Sequence, residues 1–465
     1  MMWLHMRMPN IIDVVDEAKI FEILKQTKII LPERIEEILK KAALQKGLTL
    51  EEIGALVNTD DPALIEKMFE TARGIKESIY GERLVFFAPL YISSFCVNDC
   101  EYCAFHCRNK SERKKLTLKE VEEQTKVLID MGHKRLLLEF GEHPINDIDY
   151  VVDTIKTIYA TKSKNGEIRR VNVNIAATTV EDYKKLKAVG IGTYQLFQET
   201  YHRETYAKMH PSGPKSDYER QLFAHLRAFE GGIDDLGLGV LFGLYDYRFE
   251  VLALVSHAQY MDRTLHVGPH TLSVPRWQPA EGVNIDLPYK VNEDELLKII
   301  AILRMAVPYT GMIISTRESP ETRAKAFRLG ISQTSAASRT SPGGYGKEHA
   351  LTQFSLSDHR TLEEVLKSIM DQGLLPSFCT ACYRQGRTGE DFMHIAKPGE
   401  IHNLCRPNAI LTLKEFLEDY ASPEVKKQGE GIIQKYLPQI ANEARRQGTV
   451  ERLKRIEQGD RDLYF

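Results

Sequence analysis

What this chain of 465 residues lacks narrows its class first. No apolar run approaches the eighteen or so residues of a membrane span. The opening MMWLHMRMPN has no apolar stretch of the kind a signal peptide carries. Basic residues number 62 against 65 acidic ones, a net charge of −3, so there is no basic surplus for a nucleic-acid backbone. No low-complexity stretch and no short internal repeat is present. GxG occurs at Gly190–Gly192 and Gly237–Gly239, but without the third glycine that a dinucleotide-binding turn needs. Cysteine is scarce, and its seven residues are clustered rather than scattered as a disulfide framework. These absences predict a globular protein of a reducing cytoplasm, with neither membrane nor nucleic acid as partner. The length is enough for one large barrel with appendages.

Six of the cysteines form two triplets. Cys96, Cys100 and Cys103 read C-x3-C-x2-C in FCVNDCEYCAF. Cys379 and Cys382 read C-x2-C, and Cys405 follows after twenty-two residues. An iron–sulfur cubane normally takes four thiolates, one per iron. Three thiolates leave one iron open to another ligand, which is where chemistry beyond electron storage can occur. Zinc is the competing reading for both sets. The first would then need His106 or Cys107 as fourth ligand, the second His394 or His402. Otherwise Cys107 is a spare thiol.

The hydrophobic periodicity predicts an α/β fold. Residues 1–82 read as helices, with ERIEEILKKAAL and DPALIEKMFETARGIKESIY apolar at three- and four-residue spacings. Eight strand candidates follow, at 83–93, 135–141, 171–178, 193–199, 236–243, 270–276, 311–316 and 330–336. Between them lie helical segments. Thr117-x-x-Glu120, Thr178-x-x-Glu181, Thr361-x-x-Glu364 and Thr412-x-x-Glu415 read as capping boxes, and Gly190 as a C-terminal cap. Eight alternating units predict a parallel (β/α)8 barrel over 83–372. A mainly helical, cluster-binding segment is expected over 373–465. The first triplet directly follows the first strand, at the face where barrels carry their active sites.

The first triplet, with the aromatic Tyr102 before its third cysteine, resembles the radical S-adenosylmethionine superfamily. That resemblance implies a [4Fe-4S] cluster on Cys96, Cys100 and Cys103. S-adenosylmethionine chelates its open iron and is cleaved there to a 5′-deoxyadenosyl radical. LEFGEHP (138–144) resembles the segment that holds the methionine amino group in that superfamily. Gly141 would allow close backbone approach, and Glu142 would offer a carboxylate to an ammonium. Ala104, Phe105 and Phe140 depart from the residues usual there, without removing a ligand.

The second triplet, in CTACYRQGRTGEDFM, resembles the HydG family, the tyrosine lyases of [FeFe]-hydrogenase maturation. So do NVNIAATT, QETYHRETYAKMHP, LGLGVLFGLYDYRFE, GPHTLSVPR and SAASRTSPGGY, from about residue 65 to the end of the chain. The related tyrosine lyase of thiamine biosynthesis, a 2-iminoacetate synthase, shares the barrel and the first triplet but lacks the second. The resemblance implies cleavage of L-tyrosine to p-cresol and dehydroglycine. It further implies conversion of that fragment to carbon monoxide and cyanide at a second [4Fe-4S] cluster on Cys379, Cys382 and Cys405. A labile iron, held through a free cysteine, would collect both as an iron–carbonyl–cyanide synthon. A reductant such as ferredoxin or flavodoxin and the other hydrogenase maturation proteins are the implied partners.

In that family a barrel histidine helps hold the labile iron. His270 in GPHT is the best match, and His266 is its rival. Arg317 (ISTRES) and Arg339 (SAASRTSPGGY) both suit the tyrosine carboxylate, because a guanidinium binds carboxylate with two parallel bonds. Ser335 and Ser338 are polar candidates beside them. Tyr201 and His202 read equally well as pocket lining or core. A different radical lyase and a non-catalytic cluster carrier remain the alternative classes.

Overall fold

The structure is a computed structural model and describes residues 10–346 and 351–465. Most of the opening decapeptide read above for a leader lies outside the described residues. The N-terminal helices form where the apolar spacing predicts them, including Pro32–Ala42 and Pro62–Tyr80. Two more, Glu17–Gln26 and Leu50–Asn58, carry side-chain caps at Asp16 and Thr49. Glu17–Gln26 and Leu50–Asn58 pack on the long helix Tyr247–Leu265, and Pro62–Tyr80 packs on Glu293–Ala306, outside the barrel, with Pro32–Ala42 against Pro62–Tyr80. No helix among the described residues is long and apolar enough to cross a membrane.

The barrel closes. Its strands are β1 (Arg83–Ser93), β2 (Arg135–Phe140), β5 (Arg170–Asn174), β6 (Tyr194–Gln195), β7 (Leu236–Gly239), β8 (Thr271–Ser273), β9 (Gly311–Ile314) and β10 (Gln333–Ser335); the small hairpin β3 (Lys162–Ser163) and β4 (Gly166–Glu167) interrupts the count. Each barrel strand pairs in parallel with the next, and β10 returns to β1 at Val85↔Gln333 and Phe87↔Ser335. All eight expected strands are present, most of them shorter than their apolar runs. The excess residues turn out over the upper rim as loops. The hairpin and a ninth sheet strand, β11 (Leu375–Ser377), were not expected. β11 pairs in parallel with the first residues of β1, Arg83↔Leu375.

Local capping follows the sequence at Thr117 and Thr361, where both halves of the box form. Gly190 ends its helix in the left-handed conformation at φ 83°. Two readings are corrected. The helix Val180–Val189 is capped by Thr179, whose hydroxyl accepts from Asp182 N, while Thr178 bonds the Asp182 side chain. Thr412 opens nothing: it lies inside the helix His402–Asp419, where its hydroxyl donates to Asn408 O at 2.9 Å. Its partner Glu415 instead accepts two bonds from Arg169, at 3.0 and 2.6 Å. A buried, bidentate pair across the barrel floor outcompetes a local cap.

Barrel interiors are ordinarily filled by layers of bulky branched side chains. Here one sector is apolar, with Phe87, Leu137 and Ile313 in mutual contact. The opposite sector is polar and small: Asn172, Thr193, Gln195, Thr271 and Ser273, with Gly237 between them. A Cβ on Gly237 would meet Thr271 Oγ1 at 2.6 Å and Gln195 Cγ at 2.8 Å, so this sector is closely packed across three strands.

Candidate active site at the two ends of the barrel

The first triplet sits on the loop that leaves β1 at the upper rim. That loop is fixed by main-chain bonds. Val97 N donates to Glu142 O (2.7 Å), Glu101 N to Met209 O (3.0 Å) and Cys107 N to Asn98 O (2.8 Å). Arg113 closes it from beneath, donating to the carbonyls of Ser94, Phe105, His106 and Asn109. Cys100 packs with Tyr102, Leu241, Leu244 and Leu287, and Cys103 adjoins the same group. Burial pushes the Cys103 thiol up to about 11, so a thiolate forms here when a metal displaces the proton. The histidine that a zinc site would use, His106, is engaged with Asp99 at 3.2 Å. Cys107 is exposed.

Gly141 and Glu142 meet this loop from β2. An alanine Cβ at Gly141 would lie 2.3 Å from Phe95 O and 3.1 Å from Cys96 Cβ. The close approach expected of Gly141 is thus made to the cysteine loop itself. Gly141→Ala must displace that backbone. It is expected to lower iron bound at the first triplet and to cut 5′-deoxyadenosine formation at least about a hundredfold, as a 1 Å misplacement can; iron per chain after anaerobic reconstitution measures the first effect. Glu142 is less free than its sequence context predicts. Its carboxylate accepts from Asn98 Nδ2 (2.7 Å) and Arg220 Nη2 (2.6 Å).

Within the upper rim lies a cavity lined by the ends of the strands. Cys103 and Tyr102 border it, with Glu139, Asn174, Glu199, Arg317, Ser335 and Ser338 around its wall. Tyr102 OH is 2.9 Å from His210 Nε2. Arg317 stacks over Phe354 at 3.3 Å and its guanidinium makes no hydrogen bond to the described residues. Ser335 Oγ accepts from Thr316 N at 3.3 Å, and Ser338 Oγ is buried without a partner. Burial raises the Glu139 carboxyl to about 8, with Arg317 and Lys215 opposing it. Glu199 is paired with Lys215 Nζ at 2.8 Å. Arg339 stands apart: it is exposed and donates to Ser338 O at 3.0 Å. Tyr201 is core, and His202 is half-buried beside it, away from the cavity. Tyr201 OH is 2.9 Å from His257 Nδ1, and His202 stacks on Tyr245 at 3.8 Å.

The second triplet occupies the opposite end. Cys379, Cys382 and Cys405 line one cavity together with Arg83, Arg135, Arg170, His270, Gly311 and Gln333. Every barrel residue in that set stands at or just before the start of its strand. The cavity is therefore the floor of the barrel. Cys405 is placed there by the helix His402–Asp419, and Cys379 by β11. Burial pushes the Cys405 thiol up to about 12. His270 lies 3.2 Å from Asp235 through Nδ1, leaving Nε2 as the nitrogen available to a metal. Burial lowers it to about 4, so the imidazole is neutral at neutral pH. His266 and His394 line a separate surface groove, and His402 bonds Gly399 O. The zinc ligands considered for this triplet are thus absent from its cavity. Two soft thiol triplets, the first set among apolar side chains and the second among buried arginines, have the donor chemistry of iron–sulfur cluster ligands.

Comparison with known proteins agrees with this layout. Residues 90–255 match the radical SAM superfamily model, and residues 273–375 match the Biotin and Thiamin Synthesis associated domain. The 2-iminoacetate synthase of Escherichia coli K12 is 31% identical over 340 residues, covering 72% of this chain and 88% of the relative. A crystal structure of HydG, a maturase of the [FeFe]-hydrogenase, matches with a TM-score of 0.96 at 55% identity, over 97% of this chain and all of the other. The chain belongs to the HydG family of radical S-adenosylmethionine enzymes. HydG from Carboxydothermus hydrogenoformans matches at 40% identity and TM-score 0.84, over 94% of this chain. As a radical SAM enzyme the chain uses a [4Fe-4S] cluster and S-adenosylmethionine.

Sequence reasoning missed several residues of this HydG-type site. Glu139, Asn174 and Glu199 alternate with apolar neighbours as ordinary strand residues do. Arg83, Arg135 and Arg170 each open a strand, and nothing local marks them as facing one cavity.

Proposed function

We propose that the chain cleaves L-tyrosine at the upper cavity and processes the released fragment at the floor. The products would be p-cresol, carbon monoxide and cyanide, the last two delivered as an iron–carbonyl–cyanide synthon for hydrogenase assembly. The observation that carries the reading is the pair of cysteine triplets at opposite ends of one barrel. A tyrosine lyase that stops at the first fragment has no use for the second.

Cys96, Cys100 and Cys103 would hold the S-adenosylmethionine cluster, which when loaded supplies the electron that generates the deoxyadenosyl radical. Tyr102, Gly141 and Glu142 would set the cofactor's surroundings: Tyr102 borders the cavity, and the other two fix the cysteine loop. Arg317, with a free guanidinium in the cavity wall, would grip the tyrosine carboxylate, and Ser335 and Ser338 would complete the polar contacts. Arg339 would support the loop above. Cys379, Cys382 and Cys405 would hold the second cluster. His270, kept neutral and oriented by Asp235, would ligate the labile iron that a free cysteine also binds.

Incubation with S-adenosylmethionine, reductant and tyrosine, with p-cresol and carbon monoxide measured together, tests the reading. Production of p-cresol without carbon monoxide would assign the chain to 2-iminoacetate synthesis instead, and cluster transfer without deoxyadenosine would make it a carrier. Arg317→Met should raise KM for tyrosine on the order of tenfold to a hundredfold, the loss of one charge-assisted contact. Arg339→Met should change it less than about twofold. The reverse order would exchange their roles.

A further inference from the structure

Residues 351–356 form a strap tied to the cysteine loop on one side and to the rim of the upper cavity on the other. Ala104 N donates to Gln353 O (3.3 Å), Gln353 N to Thr340 O (2.8 Å) and Ser355 N to Pro279 O (2.9 Å). The strap brings Gln353 into the wall of the upper cavity together with Cys103. Gln353 Nε2 lies 3.8 Å from Cys103 Sγ, and Gln353 Oε1 accepts from Tyr91 OH at 2.7 Å. The other donors to the first triplet are main-chain amides, those of Asn98 and Glu142 at Cys96 and that of Phe105 at Cys103. Gln353 is the donor that belongs to a side chain.

The two bonds fix which way the amide points. A thiolate accepts and cannot donate, so it selects the N–H end. The oxygen end then needs a donor. Burial holds the Tyr91 hydroxyl well above its ordinary pKa, so it carries its proton and supplies that bond. Reversing the amide would set its oxygen against the thiolate. The surroundings strengthen the contact. Tyr91 packs with Ala104, Phe105 and Leu351, and Cys96 and Cys103 adjoin this apolar group. A hydrogen bond in such a setting is electrostatically stronger than in water. A methionine of similar length would fill the same space, so packing alone does not account for an amide here.

We propose that Gln353, oriented by Tyr91, is a positioning residue for the first cluster: its N–H donates to the Cys103 thiolate and makes the cluster easier to reduce. The assignment rests on the reading that Cys96, Cys100 and Cys103 hold a cluster, and it adds which side chain sets that cluster's potential. Reduction places one more negative charge on the cubane and its thiolates. A hydrogen bond to sulfur is stronger in that state, so it raises the midpoint potential.

The test uses the full chain carrying Cys379→Ala and Cys382→Ala, reconstituted with iron and sulfide, so that the first triplet alone holds a cluster. The midpoint is read by redox titration of the reduced cluster's electron paramagnetic resonance signal, without S-adenosylmethionine. Adding Gln353→Met should lower the reduced-to-oxidised ratio at a fixed solution potential about threefold to tenfold, which for one electron moves the midpoint roughly 30–60 mV downward. Iron content should be unchanged. Gln353→Asn, too short to reach the sulfur from the same strap, should behave alike. Tyr91→Phe should lower the midpoint by a smaller amount, because the amide is then free to turn. Thr352→Ala, at an exposed neighbour on the strap, should leave the midpoint in place. An unchanged or raised midpoint in a loaded Gln353→Met chain overturns the proposal. So does an equal fall in the Thr352→Ala chain. If Gln353→Met fails to load, Gln353→Asn and Tyr91→Phe decide, and unchanged midpoints in both overturn it. Absence of iron from the parent chain would instead overturn the cluster reading, and the role of Gln353 with it.

Discussion

Replacing Cys100 with alanine is expected to abolish 5′-deoxyadenosine and p-cresol together, by more than about a thousandfold, the scale on which essential groups act. Cys100 is buried among Tyr102, Leu241, Leu244 and Leu287. No nearby thiol can take its place: Cys107 is exposed, and its amide is tied to Asn98 O. The loop cannot readily rearrange to supply another ligand, because Arg113 ties it through four carbonyls. Cys107→Ala should leave both products within about twofold of the parent. Full p-cresol output from Cys100→Ala chains, measured by chromatography, would sink the assignment of the first triplet.

The second large effect is a separation of the two steps. β1 runs from Arg83 in the floor cavity to Tyr91 in the upper one. At about 3.3 Å per residue, these two outer ends of the cavities are roughly 25 Å apart along that strand. Cys382→Ala should therefore keep p-cresol formation within a few-fold while carbon monoxide capture and hydrogenase activation fall at least about tenfold, the typical cost of losing a metal-site group. His270→Ala should go further in selectivity, retaining both clusters by iron count but giving no iron–carbonyl–cyanide infrared bands. His266→Ala should give those bands at full intensity, since His266 lines a different groove. Equal loss of p-cresol and carbon monoxide in a folded Cys382→Ala chain would argue for one merged site. Exchanged results for the two histidines would move the ligand to His266.

Contiguous signals were legible in the sequence. Both cysteine triplets, the eight strands and the caps at Thr117, Thr361 and Gly190 are encoded within a few residues, so spacing alone exposes them. His270 was readable as a strand-start residue inside a motif, and the structure sets it beside the second triplet while His266 turns away at φ 57°. Signals that depend on closure were not legible. Residues 83, 135, 170 and 333 are far apart in the chain and become neighbours only when the strand starts ring the floor. Arg317 and Arg339 look alike locally; one falls inside the rim and the other on the surface. Thr412 and Glu415 had the spacing of a cap, but a guanidinium from residue 169, invisible at that range, recruits the glutamate. Tyr201 spends its hydroxyl on His257 within the core, and the half-buried His202 spends Nδ1 on Thr205.

The polar sector through the barrel has a kinetic consequence. On the two-site reading proposed above, a small polar fragment released at the upper rim and consumed at the floor would have Asn172, Gln195, Thr271 and Ser273 on one side of its path and the apolar Phe87, Leu137 and Ile313 on the other. It would then meet its second site at an effective concentration on the order of millimolar or higher, fixed by the barrel's dimensions and independent of how dilute the enzyme is. Scavengers of the fragment added to the bulk solution would intercept almost none of it, and the yield of the second step per first step would stay constant on dilution.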